Sequence, residues 1–321
     1  MRRDQLEGFV RDHLGDHVWG AALVDTESSL IVRNRLPEQG DAEIGSLSKG
    51  VTGLLYAEAV DRGEVRAEDR LDQHLPLEGC PAGAVTLGAL AQHRSGLPRM
   101  PAMDDLWSRS WRLWRHQANP YGDDLDALLR QTRATRLRRR RRPEYSNLGF
   151  QLLGHALAHA AGTTYAGLVR SRVADPLGLT SWYVPSTPRE LRDTAVHGTT
   201  RRGRPAAPWT GEGLGPAGGI RSSIDDLATV LRALVERRAP GMGALTPTAP
   251  LAGPAVRIGA GWLTTRVEDR PLTWHNGATG GWRSFLGIDV ERGRGCALVL
   301  GTARSVDATA VALLREASAT R

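Results

Sequence analysis

Ser46 and Lys49 are the first residues in this sequence whose types and spacing suit catalysis. Residues three apart lie on one face of a helix, and the stretch 46–63 has the apolar spacing of a helix. A serine hydroxyl is a weak nucleophile until a base removes its proton. A buried lysine can be that base because burial lowers its pKa, whereas an arginine stays charged.

Lys49 is the only lysine among the 42 lysine and arginine residues of the chain. Codon drift therefore explains this amine poorly, and we interpret it as a position that needs a side chain able to lose its proton. The Ser-x-x-Lys spacing also occurs in ordinary surface pairs. The interpretation therefore depends on further motifs.

A second group stands at 145–147, just before a helix predicted over 147–162. The phenol of Tyr145 can relay a proton, and the amide of Asn147 can orient a substrate carbonyl. The alternative is structural: a buried tyrosine followed by an asparagine that caps the helix.

The third group, 274–281, joins the end of one predicted strand to the start of the next. His275 can face a pocket from the strand, and Gly277 lets a substrate backbone lie close. The N–H of Ala278 can point at an oxyanion. The alternative is a glycine-rich hairpin with an incidental histidine.

In this order the three motifs resemble those of the serine β-lactamase-like family, which includes D,D-peptidases, class C β-lactamases and related esterases and transacylases. The motifs are Ser46-Leu47-Ser48-Lys49, Tyr145-Ser146-Asn147 and His275-Asn276-Gly277. The stretches 90–98, 175–185 and 215–228 also look like the family's, so the resemblance covers nearly the whole chain.

The resemblance implies that Ser46 is a nucleophile that forms a covalent acyl-enzyme, with Lys49 and Tyr145 moving protons. It also implies that Asn147 positions the acyl group of the substrate. No metal or cofactor is needed for such a reaction.

The resemblance further implies that His275 borders the site on the opposite side, and that the backbone N–H groups of Ser46 and Ala278 form an oxyanion hole. Two features depart from the family. Asn276 stands where a hydroxyl residue is common, and His275 replaces a lysine, so the anchor for a substrate carboxylate is weak. An arginine run, 138–142, replaces the Pro-Gly turn usual before the second motif.

These motifs need elements that bring distant segments together. Strands are predicted at both ends of the chain, as a hairpin over 19–36 and as several strands from about 255, with mostly helices between them. With the resemblance, this predicts an α/β (α+β) fold whose mainly antiparallel sheet is flanked by N- and C-terminal helices. We expect one catalytic domain over 1–321, with an α/β subdomain of about 1–84 plus 240–321 and a helical insertion over about 85–239.

The net charge of +7 comes largely from the arginine run 138–142. Two interpretations stay open: a solvated surface loop, or a patch that attracts an anionic substrate or partner. A nucleic-acid partner is not expected, because no binding motif or long basic face is evident.

Several other patterns favour structural roles. His155 and His159 are four apart on a predicted helix but lack a third metal ligand. The segment 213–218 matches G-x-G-x-x-G without the preceding strand that a dinucleotide site needs. Trp107, Trp111 and Trp114 form a helical stripe, which favours core packing or, alternatively, a wall or lid over the acyl pocket.

The N-terminal residues 1–15 have the pattern of an amphipathic helix, without the apolar core and cleavage site of a signal peptide. No apolar run is long enough to cross a bilayer. We therefore expect a cytoplasmic protein that does not bind membranes, with Cys80 and Cys296 reduced.

The function expected is a serine hydrolase or transacylase that cleaves an ester or amide of a small molecule, and the arginines leave an anionic substrate open. A D-Ala-D-Ala carboxypeptidase or β-lactamase is the alternative within enzymes. A non-catalytic binding protein on the same fold is the alternative outside them. The acyl group, the acceptor and the oligomeric state do not follow from the sequence.

Overall fold

The computed structural model describes residues 1–102, 111, 119–138, 143–253 and 255–319. The strands are β1 (Trp19–Asp25), β2 (Ser29–Asn34), β3 (Ala42–Glu43), β4 (Arg221–Ser222), β5 (Ala249–Ala252), β6 (Val256–Ile258), β7 (Leu263–Val267), β8 (Arg270–Ala278), β9 (Arg283–Asp289) and β10 (Arg294–Leu300). Eight of them form an antiparallel sheet in the order β2-β1-β10-β9-β8-β7-β6-β5. The predicted antiparallel sheet is therefore confirmed.

The two ends of the chain meet inside this sheet, one strand in from its β2 edge. β1 pairs with β2 as the predicted hairpin and also with β10, where Trp19 lies opposite Leu300. β5 was not predicted. It contains Pro250 and lies at the sheet edge, where a residue without an N–H is tolerated.

The helices are α1 (Arg3–Leu14), α2 (Leu47–Asp61), α3 (Leu87–Ala91), α4 (Leu125–Ala134), α5 (Asn147–Ala160), α6 (Tyr165–Val169), α7 (Asp175–Leu177), α8 (Gly215–Gly218), α9 (Ile224–Val235) and α10 (Asp307–Ala319). Shorter turns of 3-10 helix lie at Leu71–Gln73, Pro188–Glu190 and Met242–Leu245, and a π-helical turn lies at Arg170–Ala174. None of the helices in these ranges combines the length and apolar character that crossing a bilayer requires.

Alternation along the central strands gives the sheet two buried faces. On β10, Leu298 and Leu300 pack with α1 and α10, whereas Ala297 and Val299 face the larger core on the opposite side. The N- and C-terminal helices therefore cover one face, as predicted, and α9 covers part of the other by packing on β1 and β10.

The division into an α/β and a helical subdomain stays a prediction. Helix α9 falls within the range given to the helical insertion, yet it packs on the sheet. Its N-cap is Ser223, whose side chain accepts a hydrogen bond from the N–H of Asp226 at 3.1 Å.

Helix α2 is buried on nearly all sides, because its sequence is apolar or small almost throughout. It packs against α5, α8 and β8. A residue at its first turn is therefore held by α5 and α8 on one side and by the sheet on the other.

Candidate active site

Ser46 immediately precedes α2, and Lys49 follows it by one helical turn. The Nζ atom of Lys49 donates to Oγ of Ser46 at 3.1 Å and to the carbonyl oxygen of Ala217, in α8, at 2.6 Å. A neutral amine that gives one N–H to Ala217 still has a lone pair. The same short contact can therefore carry a proton from the serine hydroxyl to the amine.

Lys49 is fully buried, and this burial holds the pKa of its amine well below the usual value of 10.5. The positive charge of Arg99 acts in the same direction. The neutral amine is therefore favoured, which is the form that a general base needs.

Tyr145 lies beside this amine: Nζ of Lys49 is 4.9 Å from the centre of the phenol ring. Burial raises the pKa of the phenol above its usual value of 10, although a hydrogen bond with Ser46 and the charge of Arg99 oppose the shift. The guanidinium carbon of Arg99 is 5.7 Å from the same ring centre. Tyr145 is therefore protonated at neutral pH and can donate a proton.

Asn147 is the first residue of α5, but the helix is capped by Ser146, whose Oγ accepts from the N–H of Gly149 at 2.9 Å. The alternative interpretation, in which Asn147 caps this helix, is therefore wrong. Its Nδ2 donates to Oη of Tyr121 at 2.6 Å, while its Oδ1 is buried without a hydrogen-bond partner among the described residues. Because a hydroxyl can donate or accept, rotation of the amide exchanges these two groups.

His275 lies on β8 opposite Leu286 of β9, with only 1% of its surface exposed. Its Nδ1 is 2.6 Å from the carbonyl oxygen of Asn276, so Nδ1 carries the hydrogen and donates it. Its Nε2 is then an acceptor, and it has no partner in the described part of the chain. Burial lowers the pKa of His275 to about 3. The ring is therefore neutral.

The side chain of Asn276 binds a residue outside the three motifs. Its Nδ2 donates to Oδ2 of Asp307, at the start of α10, at 2.9 Å. The middle residue of the third motif therefore ties β8 to the C-terminal helix.

Two glycines bring the segment before Ser46 against β8. A Cβ at Gly277 would lie 1.9 Å from the carbonyl oxygen of Ile44, and a Cβ at Gly45 would lie 2.6 Å from the nitrogen of Ala278. Gly45 also has φ +52°, which disfavours other residues. The backbone of Ser46 therefore lies next to Ala278, as two donors to one oxyanion require.

This arrangement agrees with comparisons with known proteins. The family model described as Beta-lactamase matches residues 11–320. The chain belongs to the β-lactamase family. It is a serine hydrolase by that membership, and the family resemblance predicted from its motifs is confirmed.

Two kinds of relative accompany the family match. The D-alanyl-D-alanine-carboxypeptidase/endopeptidase AmpH of Escherichia coli is 25% identical over 292 residues, covering 80% of this chain and 70% of that protein. The structure of a β-lactamase from a Sulfitobacter species superposes with a TM-score of 0.81 at 18% identity, covering all of both chains. A D-alanine carboxypeptidase AmpC from Burkholderia cenocepacia gives a TM-score of 0.79 at 20% identity, covering 98% of this chain and 100% of that one.

In this β-lactamase-family protein a buried ion cluster fixes the strand that leads to the nucleophile. The guanidinium of Arg221, on β4, binds the carboxylates of Asp41 and Glu43, and β3 pairs with β4. Burial raises the pKa of Glu43, against the opposing charge of Arg221. Oε1 of Glu43 also accepts from the N–H of Trp209 at 3.0 Å.

Sequence reasoning missed several residues that contact the site, namely His93, Arg99, Tyr121 and Ala217. The stretches 90–98 and 215–228 resemble those of the family, but no spacing rule indicates which of their atoms reach Lys49 or Tyr145. Their contacts join segments more than 25 positions apart, and only the folded chain brings them together.

Other sequence candidates lie away from the site or outside the described residues. The side chain of Trp111 is 55% exposed, so core packing is wrong at this position, while Trp107 and Trp114 lie outside the described residues. Of the arginine run, Arg138 is described and binds Glu144 at 2.7 Å, and 139–142 lie outside.

The histidine and cysteine candidates have structural contacts. Nε2 of His155 lies 3.2 Å from the carbonyl oxygen of Glu212, and burial lowers the pKa of His155 to about 4. Cys80 and Cys296 are free thiols. Within the described ranges no group of three or more His, Cys, Asp or Glu side chains is placed to hold a metal ion.

Proposed function

We propose that this serine hydrolase cleaves an ester or amide of a small molecule through a covalent acyl-enzyme on Ser46. The main support is Lys49: a fully buried amine with a lowered pKa, 3.1 Å from the serine oxygen. A base of this kind makes a serine nucleophilic at neutral pH.

In the first step, Lys49 takes the hydroxyl proton while Oγ of Ser46 bonds to the substrate carbonyl carbon. The carbonyl oxygen becomes an oxyanion and accepts hydrogen bonds from the N–H groups of Ser46 and Ala278. One such donor typically contributes about 3 kcal/mol of transition-state stabilisation.

In the second step, the tetrahedral intermediate expels the leaving alcohol or amine, which takes a proton from the phenol of Tyr145. The ammonium of Lys49 returns its proton to Tyr145. Water or an acceptor alcohol or amine then attacks the ester on Ser46 by the same route and frees the serine. Asn147 orients the acyl group through whichever amide group faces it.

The third motif disfavours a substrate carboxylate. His275 is neutral and offers an acceptor nitrogen, and Asn276 is held by Asp307. Neither supplies the positive charge that a carboxylate would bind. We therefore expect the group next to His275 to be a hydrogen-bond donor, such as an N–H or O–H of the substrate. An anionic group, if the substrate has one, is better placed near Arg99, beside Tyr145.

A second candidate is a D-Ala-D-Ala carboxypeptidase or β-lactamase, because relatives carry those names. Hydrolysis rates for p-nitrophenyl butyrate, nitrocefin and an acetylated Lys-D-Ala-D-Ala peptide distinguish the two. Our proposal predicts turnover of the ester and rates for the two carboxylate substrates at least about 10²-fold lower in kcat/KM.

The role of Ser46 is tested with a fluorophosphonate probe and mass spectrometry of the intact protein. The wild-type chain should gain one label, and Ser46→Ala should gain none. Ser48→Ala is the matched control, because Ser48 lies two residues away with its Oγ accepting from the N–H of Ile220 at 3.2 Å. Labelling that persists in Ser46→Ala would remove Ser46 from the mechanism.

Transacylation and hydrolysis are separated by adding an alcohol acceptor to the ester assay. A transacylase converts the acyl-enzyme to a new ester faster than water releases it as acid. The ratio of the two products reports which acceptor the site favours.

A further inference from the structure

We propose that His93 is the residue that positions Tyr145, by holding the backbone on both sides of it and the face of its ring. The proposal rests on the proposed role of Tyr145 in proton transfer. His93 lies between α3 and α5 and is 2% exposed. It does not contact the nucleophile in any described hydrogen bond, so its effect on the reaction is indirect.

Three contacts join the two residues. The N–H of Glu144, before Tyr145, donates to the carbonyl oxygen of His93 at 2.9 Å. The N–H of Ser146, after Tyr145, donates to Nδ1 of His93 at 3.2 Å. The two rings are tilted against each other with their centres 4.6 Å apart.

These contacts replace regular secondary structure. Tyr145 stands two residues before the first residue of α5, where no helical hydrogen bond fixes the backbone. Its phenol nevertheless has to stay within reach of both Ser46 and Lys49. The contacts from His93 supply the missing support.

The hydrogen bond to Ser146 also sets the tautomer of His93. Nδ1 must hold a lone pair to accept from the backbone N–H, so the ring hydrogen is on Nε2. A doubly protonated ring would place two N–H groups against each other and displace the segment that carries Tyr145. Burial keeps the pKa of His93 well below 6.5, which agrees with a neutral ring.

The backbone of His93 is also unusual. Its φ of +55° is uncommon for a residue with a side chain, although histidine, asparagine and aspartate tolerate it better than most. Its ring also meets Phe150 of α5, with ring centres 4.7 Å apart. The ring therefore contacts both Tyr145 and the helix that follows it.

A double-mutant cycle tests whether His93 acts through Tyr145. The variants are His93→Phe, Tyr145→Phe and the combination, and the measurement is kcat/KM for p-nitrophenyl butyrate. His93→Phe keeps a ring but removes the acceptor for Ser146. We expect Tyr145→Phe to lower kcat/KM about 10²-fold or more. His93→Phe should lower it about tenfold or more in the wild-type background and have little further effect when Tyr145 is Phe.

His93→Asn is the matched control, since asparagine tolerates a positive φ and its Oδ1 can accept from Ser146. It should lose less activity than His93→Phe, and circular dichroism and fluorophosphonate labelling of Ser46 report whether each variant is folded. Equal losses from His93→Phe in both backgrounds would overturn the role of His93 and leave the proposed function intact. So would a loss in His93→Asn as large as that in His93→Phe. A rate unchanged by Tyr145→Phe would remove both the role of His93 and the proton transfer through Tyr145.

Discussion

Gly45 and Ala278 approach so closely that a methyl group on the α carbon of Gly45 would lie 2.6 Å from the nitrogen of Ala278. This contact places the start of the nucleophile helix against β8. We expect Gly45→Ala to push the two backbones apart and to lower kcat about 10²-fold or more, because one oxyanion donor is lost. Ester hydrolysis kinetics measure the change.

Gly63→Ala is the control for backbone strain. Gly63 has φ +71°, but a Cβ there meets nothing within 4 Å. It should lose about 1 kcal/mol of stability from the left-handed conformation and keep its kcat. Wild-type kcat in Gly45→Ala would contradict the proposed oxyanion hole.

The buried amine of Lys49 should make stability depend on pH. Its pKa is lowered in the native protein, so between that value and about 10.4 the unfolded chain binds one proton that the native chain does not. The free energy of unfolding therefore rises with pH across that window and decreases again as the pH falls. Relative to Lys49→Met, the wild-type free energy of unfolding should therefore rise by about 1.4 kcal/mol per pH unit.

Urea unfolding of both proteins at pH 7, 8 and 9 measures this difference. Groups away from Lys49 titrate alike in the two chains and cancel. A difference that stays constant over these pH values would mean that the native amine is charged, and the general-base role would fail with it.

His275 should stay neutral throughout the range in which an ordinary histidine titrates. Its pKa is lowered to about 3, whereas the usual value is about 6.5. Nitrogen NMR of the imidazole between pH 5 and 8 should show one unchanging tautomer with the hydrogen on Nδ1. A shift to the imidazolium signal near pH 6.5 would mean that the third motif holds a cation. A substrate carboxylate next to His275 would then be expected.

Removing a carboxylate from the buried Arg221 cluster should be costly. Asp41 is fully buried, and Asp41→Asn leaves the guanidinium with less opposing charge. We expect a loss of about 3–5 kcal/mol in the free energy of unfolding. Chemical denaturation measures it.

Glu7→Gln is the surface counterpart. Glu7 binds Arg11 at 2.8 Å across one helical turn, with both side chains more than 40% exposed. Its loss should cost no more than about 0.5 kcal/mol. Similar losses from the two substitutions would show that the Arg221 cluster adds little to the stability of β3 and β4.

Much of the fold and the three motifs could be predicted because they are local patterns. The helical spacing of apolar residues in α2 and the runs of β-prone residues in β8 to β10 are features that the sequence carries directly. The partners of the motifs are different. Ala217 reaches Lys49 through a backbone carbonyl, which any residue type supplies, so its identity contains no signal.

Trp111 shows the reverse limit. Its spacing in the tryptophan stripe is that of a buried helix face, yet its side chain is 55% exposed. Apolar spacing indicates which side of a helix is apolar, but not whether another surface covers it. β5 could not be predicted from the sequence, because Pro250 argues against a strand. An edge strand tolerates proline, whereas an inner strand excludes it.

The packing of α2 against α8 and β8 has a consequence for synthesis on the ribosome. Helix α2 emerges early, but its partners on α8 and β8 are made more than 150 residues later. Until they appear, a helix that is mostly buried in the folded protein has no complete surface to pack on, and such intermediates are prone to aggregate. We therefore expect the nascent chain to bind chaperones. The contacts around the nucleophile form only near the end of translation, when α8 and β8 have been made.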